Sequence, residues 1–217
     1  MSLTRTIGGL RFDYDSSVLE PRPWTVQQSL WAAALSPELP PGQILELCSG
    51  AGHIGLLAAH LTLRDVVLVD ASASACAFAR VNAERLGLAA QVRHGSMTQV
   101  LDEHERFPLI LADPPYLRTG DISEFPDDPT TAIDGGDDGL DLARLTLTIA
   151  GRHLERAGAM LLQLRDHEQA AAMRSWAGAA GLRIEKVRSV GDHGVLVLCR
   201  PLDREWASGG PLLQTTG

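Results

Sequence analysis

Cysteine and long apolar runs are scarce in this sequence of 217 residues. The three cysteines are widely spaced in apolar surroundings, which favours buried free thiols over a disulfide framework or a zinc site, although Cys48 beside a glycine loop could be reactive. They are Cys48, Cys76 and Cys199. The seven histidines show no metal spacing, so we expect no bound metal and expect each histidine at the surface or in a loop. No apolar run reaches the ~18–20 residues of a membrane helix and the N-terminus lacks a signal-peptide core, which predicts a cytoplasmic protein without a membrane partner.

The sequence also has no excess of basic residues. Its 27 Asp and Glu exceed its 19 Lys and Arg, for a formal net charge of −8 at pH 7. The excess lies in residues 121–141, which contain eight acids and no Lys or Arg. An acidic protein without a basic stretch binds nucleic acid poorly, so nucleic acid is a less favoured partner than a protein or a small molecule. The acidic segment is either a solvated loop or a lid hinged at Gly135, Gly136 and Gly139.

Strand and helix patterns alternate along the chain after residue 43. They predict an α/β fold with a doubly wound, mostly parallel seven-stranded sheet of the Rossmann-like kind, ending in an antiparallel strand pair. We divide the chain into an N-terminal hairpin and helix packing on the core (1–40), a main domain (41–200) and a flexible tail (201–217). The predicted elements are a hairpin over 3–15, a helix from its N-cap Thr25 to Leu35, strands over 44–48, 66–70, 91–94, 109–112, 159–164, 183–189 and 194–199, and helices over 53–61, 72–87, 140–154 and 167–180.

A glycine motif follows the first predicted strand of the main domain. Gly50, Gly52 and Gly55 satisfy G-x-G-x-x-G between a strand and a helix, and glycine lets the backbone approach a ligand closely. Asp70 ends the next strand, where its carboxylate can accept hydrogen bonds from ribose hydroxyls. These features fit a nicotinamide dinucleotide or S-adenosylmethionine (SAM). Glu46 favours SAM, because its charge would repel a pyrophosphate and attract a sulfonium amino acid. The form E-x-C-x-G-x-G resembles the first motif of class I SAM-dependent methyltransferases.

A second motif, Asp113-Pro114-Pro115-Tyr116, directly follows an apolar strand. The two prolines fix the backbone and leave carbonyl groups without partners among their own amides. With the Asp113 side chain, these carbonyls can hold an –NH2 group, and the Tyr116 ring can pack on a planar substrate. We therefore predict that these four residues are catalytic. The tetrad resembles the fourth motif of methyltransferases that act on base amino groups and on glutamine amides, which indicates the reaction type and not the substrate.

Further segments resemble the HemK-type protein-glutamine methyltransferases. They are VLEPRPWT at 18–25, AIDGGDDGLD at 132–141 and DHEQ at 166–169. The resemblance covers residues 11–200 and implies SAM-dependent methylation of the glutamine amide in a Gly-Gly-Gln motif of a peptide release factor. It also implies that residues 48–52 and Asp70 hold SAM, with Met97 against the adenine. The whole expected cofactor set is Thr25, Glu46, Cys48, Ser49, Gly50, Ala51, Gly52, Asp70, Ala71, Ser96, Met97 and Asp113.

Some residues depart from the family pattern. Asp113 stands where the family has Asn; an ionised aspartate can still hold an –NH2 group and could also act as a base. Trp24 and Val26 replace glutamates, Ser96 replaces a usual acid, and the helical N-terminal domain of bacterial members is absent, which predicts a short form of the family. A nucleic-acid base amino-group methyltransferase, a small-molecule N-methyltransferase and, more remotely, an NAD-binding oxidoreductase stay as alternatives. The sequence does not indicate an oligomeric state.

Overall fold

The computed structural model of the protein describes residues 2–202. Its strands are β1 (Leu3–Ile7), β2 (Leu10–Tyr14), β3 (Ile44–Leu47), β4 (Val66–Asp70), β5 (Ala90–His94), β6 (Phe107–Ala112), β7 (Leu154–Leu164), β8 (Leu182–Ser189) and β9 (Val195–Pro201). β1 and β2 form an antiparallel hairpin. The other seven strands form one sheet in the order β5-β4-β3-β6-β7-β9-β8. The first five strands of this order (β5, β4, β3, β6 and β7) run parallel to one another, and β9 runs antiparallel to both of its neighbours.

Helices cover both faces of this sheet. They are α1 (Val26–Leu35), α2 (His53–Thr62), α3 (Ala73–Leu86), α4 (Thr130–Ile133), α5 (Asp141–His153) and α6 (His167–Ala179), with 3-10 turns at Pro23–Thr25, Ser36–Glu38 and Thr119–Glu124. The hairpin, α1, α2 and α3 pack on one face, and α5 and α6 pack on the other. Side chains alternate between the two cores, as Ile44 and Leu45 do on β3. Both faces are therefore buried, which explains the continuous apolar runs of the central strands.

Local signals account for the positions of several helices. The side chain of Asp166 accepts the Gln169 amide (2.8 Å) and caps α6. An apolar stripe along α5 and its two flanking residues is buried against the sheet, and each of its leucines contributes about 1.5–3 kcal/mol to folding. The stripe consists of Leu140, Ala143, Leu147, Ala150 and Leu154. An amphipathic helix with this stripe can pack only on the sheet, so the pattern determined the orientation of α5.

The predicted fold class, hairpin and C-terminal antiparallel strands are confirmed, but some details differ. β7 begins at Leu154, where the predicted helix was to end, because it pairs with the start of β6. The Thr25 side chain does not cap α1; its hydroxyl donates to the Arg22 carbonyl. The surface or loop position expected for His153 is wrong, because this side chain is buried with Nδ1 against the Glu105 carbonyl (3.0 Å).

Two further expectations concern membrane-spanning helices and the C-terminal tail. Within residues 2–202, no helix is both long enough and apolar enough to cross a bilayer. Pro201, the first residue of the expected flexible tail, is the last residue of β9 and pairs with Leu182. The rest of that tail, residues 203–217, lies outside the described residues.

Candidate active site

The segments predicted to be functional meet at the carboxyl edge of the sheet. The glycine loop (48–52) follows β3, Asp70 ends β4, and the tetrad (113–116) follows β6. Because β3 lies between β4 and β6 and all three strands are parallel, their carboxyl ends lie at the same edge. Ligands of doubly wound sheets bind outside this edge. The structure therefore places the expected cofactor and acceptor segments side by side.

The glycine loop turns sharply because three of its residues adopt the left-handed backbone conformation. Their φ angles are 57° at Cys48, 54° at Gly50 and 81° at Gly52. Glycine enters this region freely, whereas residues with a side chain disfavour it. The Gly52 amide donates to the Ser49 carbonyl (2.8 Å) and closes the turn. No atom of residues 2–202 lies within 4 Å of a Cβ built on Gly50, so a ligand can approach this backbone closely.

Asp70 holds the glycine loop in place. Its Oδ2 accepts the Gly50 amide (2.7 Å) and its Oδ1 accepts the Ser72 amide (2.8 Å). Burial raises the pKa of this carboxyl, and the two amide hydrogen bonds act in the opposite direction. Each carboxylate oxygen accepts more than one hydrogen bond, so Asp70 can also accept a ribose hydroxyl. Its contact with the loop is a positioning role that was not predicted from the sequence.

Glu46 lies beneath the glycine loop and is 2% exposed. Its Oε2 accepts the Gly55 amide (2.9 Å) in the first turn of α2, where amides have no partner within the helix. A Cβ on Gly55 would collide with this carboxylate and with Leu68, which explains the glycine at that position. Burial raises the pKa of Glu46 well above its usual value, and the Gly55 hydrogen bond opposes this shift. The carboxylate thus joins β3 to α2 directly under the expected SAM site.

The Cys48 thiol lies close to these acids. Burial raises the pKa of Cys48, and nearby carboxylates raise it further. These carboxylates belong to Asp70, Asp113 and Glu46. Nucleophilic cysteines are thiolates, which positive surroundings favour. The structure therefore disfavours the alternative of a reactive Cys48 and agrees with three free cysteines.

A hydrogen-bonded chain links the segment before α1 to the glycine loop. The Thr25 hydroxyl donates to the Arg22 carbonyl (2.7 Å), so it accepts from Nε2–H of His53 (3.0 Å). Burial lowers the pKa of His53 to about 4, so the ring is neutral at pH 7. Its Nδ1 is then an acceptor, and no residue within 2–202 donates to it. Thr25 lies beside the loop as expected, whereas His53, expected at the surface or in a loop, begins α2 with its ring covered.

The carboxylate of Asp113 comes directly after β6. Burial raises the pKa of Asp113 to about 7, and no hydrogen bond from residues 2–202 opposes this shift. Protonated and ionised forms therefore coexist near neutral pH. The ionised form accepts N–H groups, and a carboxylate with a pKa near neutrality can also take up a proton.

Two buried glutamines hold the backbone around the tetrad. Gln28 of α1 donates from Nε2 to the carbonyl groups of Ala112 (3.1 Å), the last residue of β6, and Leu161 (2.9 Å), in β7. Gln169 of α6 donates from Nε2 to the Tyr116 carbonyl (3.0 Å). No role at the site was predicted from the sequence for Gln169 or for Gln28. A polar residue on an otherwise apolar helix face was the available signal for both.

Two glycines of the acidic segment pack on the tetrad. Cβ atoms on Gly135 and Gly139 would collide with the carbonyl oxygens of Pro115 and Tyr116. The Gly135 amide also donates to the Leu117 carbonyl (2.8 Å). Glycine is required here for close approach, so this part of the segment packs as a wall beside the tetrad.

The other expected cofactor residues lie around Asp70. Ala71 follows it, and Ser96 and Met97 follow β5, the neighbouring strand. Met97 is 8% exposed and packs in the core on the α5 side. Ala51 of the glycine loop is buried, and its carbonyl accepts a side-chain amide of α3 (2.9 Å).

An aromatic pair joins the segment before α1 to the β8–β9 turn. The rings of Trp24 and His193 stack with centroids 4.0 Å apart and planes 12° apart. The His193 carbonyl accepts Nε2 of Gln163 (3.1 Å), which places the turn beside the end of β7. Trp24 stands where the family pattern has a glutamate. Its contact with His193 lies at the same edge of the sheet as the tetrad.

The residues at this edge fit SAM. Gly50 leaves room for close approach, and Asp70 offers a carboxylate to the ribose. The buried Ser49 hydroxyl has no hydrogen-bond partner among residues 2–202, so a ligand can supply one. In the same part of the chain, no group of three or more His, Cys, Asp or Glu is arranged to hold a metal ion.

Sequence relatives carry names that agree with the motifs. The ribosomal protein uL3 glutamine methyltransferase of Burkholderia pseudomallei is 33% identical over 172 residues, which cover 72% of this chain and 56% of that protein. The release factor glutamine methyltransferase of Geobacter sulfurreducens is 35% identical over 170 residues, which cover 74% and 58%. The chain thus spans less than two thirds of the length of these curated relatives. The predicted resemblance to glutamine methyltransferases is confirmed.

Solved structures agree with the fold. The hMettl16 catalytic domain, solved with a MAT2A 3'UTR hairpin, matches with a TM-score of 0.72 at 16% identity over 91% of this chain and 76% of that one. The T. Thermophilus 16S rRNA N2 G1207 methyltransferase (RsmC), solved with AdoMet and guanosine, matches with a TM-score of 0.66 at 20% identity over 94% and 50%. At these identities the likeness shows the fold alone. The family model described as Conserved hypothetical protein 95 matches residues 12–127, more than half of the chain, from β2 through the glycine loop and the tetrad. The chain therefore has the fold of class I methyltransferases and belongs to the family Conserved hypothetical protein 95.

Proposed function

We propose that this protein is a SAM-dependent N-methyltransferase whose acceptor is a glutamine side-chain amide of another protein. The observation that carries the proposal is the position of the glycine loop and Asp70 beside a tetrad that begins with the free carboxylate of Asp113. The relatives support it, because their names specify glutamine methylation of a release factor or of ribosomal protein uL3. Both named acceptors belong to translation, so we also propose that the protein acts in the cytoplasm.

The glycine loop and its neighbours would hold the cofactor. When bound, SAM supplies a methyl group activated by a sulfonium. Asp70 would accept the ribose hydroxyls, and the open backbone at Gly50 would lie against the ligand. Met97 would contact the adenine, and Glu46 would lie below the sulfonium amino acid, whose positive charge would favour the ionised carboxylate and so oppose the effect of burial on its pKa. The other members of the expected cofactor set would complete the binding site.

The tetrad would orient the acceptor nitrogen. Its carbonyl groups and the Asp113 carboxylate are acceptors for the two hydrogens of an –NH2 group, and the Tyr116 ring can pack on the planar amide. An amide nitrogen is a poor nucleophile because its lone pair is delocalised. A carboxylate with a pKa of about 7 can accept its proton and so leave more electron density on the nitrogen. Gln169 would keep the Tyr116 backbone in position for this.

Asp113 also favours a second candidate, the amino group of a nucleic-acid base or of a heterocyclic small molecule. The tetrad motif with Asp or Asn at this position resembles those of base methyltransferases as well. The net charge of −8 opposes binding of a polyanion and so favours the protein acceptor over the nucleic acid.

Calorimetry tests the cofactor part of the proposal. SAM, S-adenosylhomocysteine and NAD are titrated separately into the purified protein. We expect the first two to bind and NAD not to bind, because Glu46 can pair with a cationic amino acid and gains no such partner from a pyrophosphate. Binding of NAD without SAM would contradict the proposal and reduce the tetrad to a structural turn.

Transfer of a radiolabelled methyl group tests the acceptor. The acceptors are a release factor, the same factor with Gln→Ala in its Gly-Gly-Gln motif, ribosomal protein uL3, ribosomal RNA and a metabolite extract. We expect label in one of the proteins, and for a release factor we expect the Gln→Ala change to abolish it. Asp113→Ala should bind SAM normally and lose turnover, whereas retained turnover would refute the role of this carboxylate. Label in RNA or in a metabolite would select the second candidate.

A further inference from the structure

Residues 118–132, here called the strap, follow the tetrad and contain no buried side chain. The strap carries four acids, and the Phe125 side chain is 41% exposed. Apolar burial therefore contributes little to its position. Segments of this kind open at low free-energy cost unless polar contacts hold them.

Backbone hydrogen bonds close the base of the strap. The Leu117 amide donates to the Ile133 carbonyl (3.1 Å), and the Gly135 amide donates to the Leu117 carbonyl (2.8 Å). The Thr119 amide donates to the Gly136 carbonyl (3.0 Å). These bonds fix both ends of the strap against the tetrad, so any movement is confined to the residues between them.

Two arginine–aspartate pairs hold the outer part of the strap. Arg22 donates from Nη2 to both carboxylate oxygens of Asp128 (2.7 and 2.6 Å). Arg165 donates from Nη1 to Oδ2 of Asp121 (2.8 Å). Beyond its base, these pairs are the hydrogen bonds that connect the strap to the rest of residues 2–202. Both pairs are partly exposed, so salt weakens them.

Hydrogen bonds anchor the backbones of both arginines to the site. The Arg22 carbonyl accepts the Thr25 hydroxyl, which is bonded to His53 beside the glycine loop. The Arg165 amide donates to Oε1 of Gln169, whose Nε2 donates to the Tyr116 carbonyl. Burial raises the pKa of the Tyr116 hydroxyl, and the charges of both arginines oppose this shift, which agrees with their closeness to this ring.

We infer that the strap is a gate over the acceptor side of Tyr116, held shut by Arg22–Asp128 and Arg165–Asp121 and released when the acceptor enters. The part of this inference in which an acceptor opens the gate rests on the proposed function, whereas the part in which two ion pairs hold the strap does not. Loss of a partly exposed ion pair changes a local equilibrium by about 1.4- to fivefold. Loss of both pairs should therefore raise the open population by about two- to 25-fold.

Hydrogen exchange measured by mass spectrometry on the free protein tests the latches without cofactor or acceptor. The latch variant is Asp121→Asn with Asp128→Asn. The matched control is Glu124→Gln with Asp127→Asn, which removes the same charge from the same strap at residues outside the described ion pairs. Wild-type protein is measured at about 0.05 M and about 0.5 M salt, where screening differs strongly.

We expect amides of the strap to exchange at least about twofold faster in the latch variant, and also faster in wild type at high salt. The control variant and the amides of residues 134–136 should not change. A variant that exchanges the two charges, Arg22→Asp with Asp128→Arg, can form the ion pair in reverse and should restore part of the protection of the strap amides against hydrogen exchange. A misfolded variant would not regain this protection. Equal exchange in latch and control variants, or a wild-type strap indifferent to salt, would overturn the inference. Faster exchange in the latch variant alone, together with no methyl transfer to any acceptor, would support the latches and contradict only the proposed function.

Discussion

Replacing Asp113 with asparagine should make the protein more stable at alkaline pH and leave it unchanged at acid pH. Burial raises the pKa of Asp113 from 3.8 to about 7, so the folded protein holds this proton more tightly than the unfolded chain does. Below about pH 4 both states are protonated, and the stability from this proton is fully present. As the pH rises through 7, the folded state must also ionise the carboxyl, and that stability is lost. Asparagine resembles the protonated form and has no proton to lose.

The size of the effect follows from the two pKa values. The difference between 3.8 and about 7 corresponds, at about 1.36 kcal/mol per pH unit, to at most about 4 kcal/mol. Because Asp113 is half-buried, solvent reduces this, and we expect about 1–3 kcal/mol. The change should fall almost wholly between about pH 4 and about pH 8, where the folded and unfolded states differ in protons bound.

Urea unfolding at both ends of this range measures the effect. Wild type and Asp113→Asn are compared with Asp65→Asn, which removes the same charge from an exposed side chain. The free energy of unfolding of Asp113→Asn relative to wild type should rise by about 1 kcal/mol or more from acid to alkaline pH. A difference that stays constant with pH, or that Asp65→Asn reproduces, would refute the burial of this carboxylate and its tuning toward neutral pH.

Three other changes test the site. Asp70→Ala removes the acceptor of two backbone amides and should weaken SAM binding about tenfold or more in calorimetry, so an unchanged dissociation constant would exclude the ribose contact. Gln169→Leu leaves the Tyr116 carbonyl without its donor and should lower the free energy of unfolding in urea by about 1–3 kcal/mol; a loss below about 0.3 kcal/mol would contradict its positioning role. Cys48→Val should be about 2 kcal/mol less stable than Cys48→Gly and should therefore unfold at a lower temperature, because a β-branched residue disfavours a φ of 57°. Equal stabilities would show that the loop relaxes around this position.

Much of the fold was predictable from local patterns. The runs 66–69 and 109–112 are continuously apolar, as in strands buried on both faces, and both form central strands of the sheet. The insertion of β9 between β7 and β8 was not predictable, because strand order depends on pairing between distant segments. The burial of His153 was missed for the same reason, since its partner, the Glu105 carbonyl, belongs to a different part of the chain.

The sequence by itself determined the class of fold and the chemistry at the ends of three strands. The glycine loop, the acid at residue 70 and the Asp-Pro-Pro-Tyr tetrad depend on neighbours along the chain, whose backbone preferences are local. Only the tertiary structure decided what surrounds them. It placed Gln169 on the Tyr116 carbonyl, linked Arg22 to Asp128 across the strap, and covered Asp113 enough to raise its pKa to about 7. Such effects arise when packed elements bring distant groups together and exclude water, which no local pattern specifies.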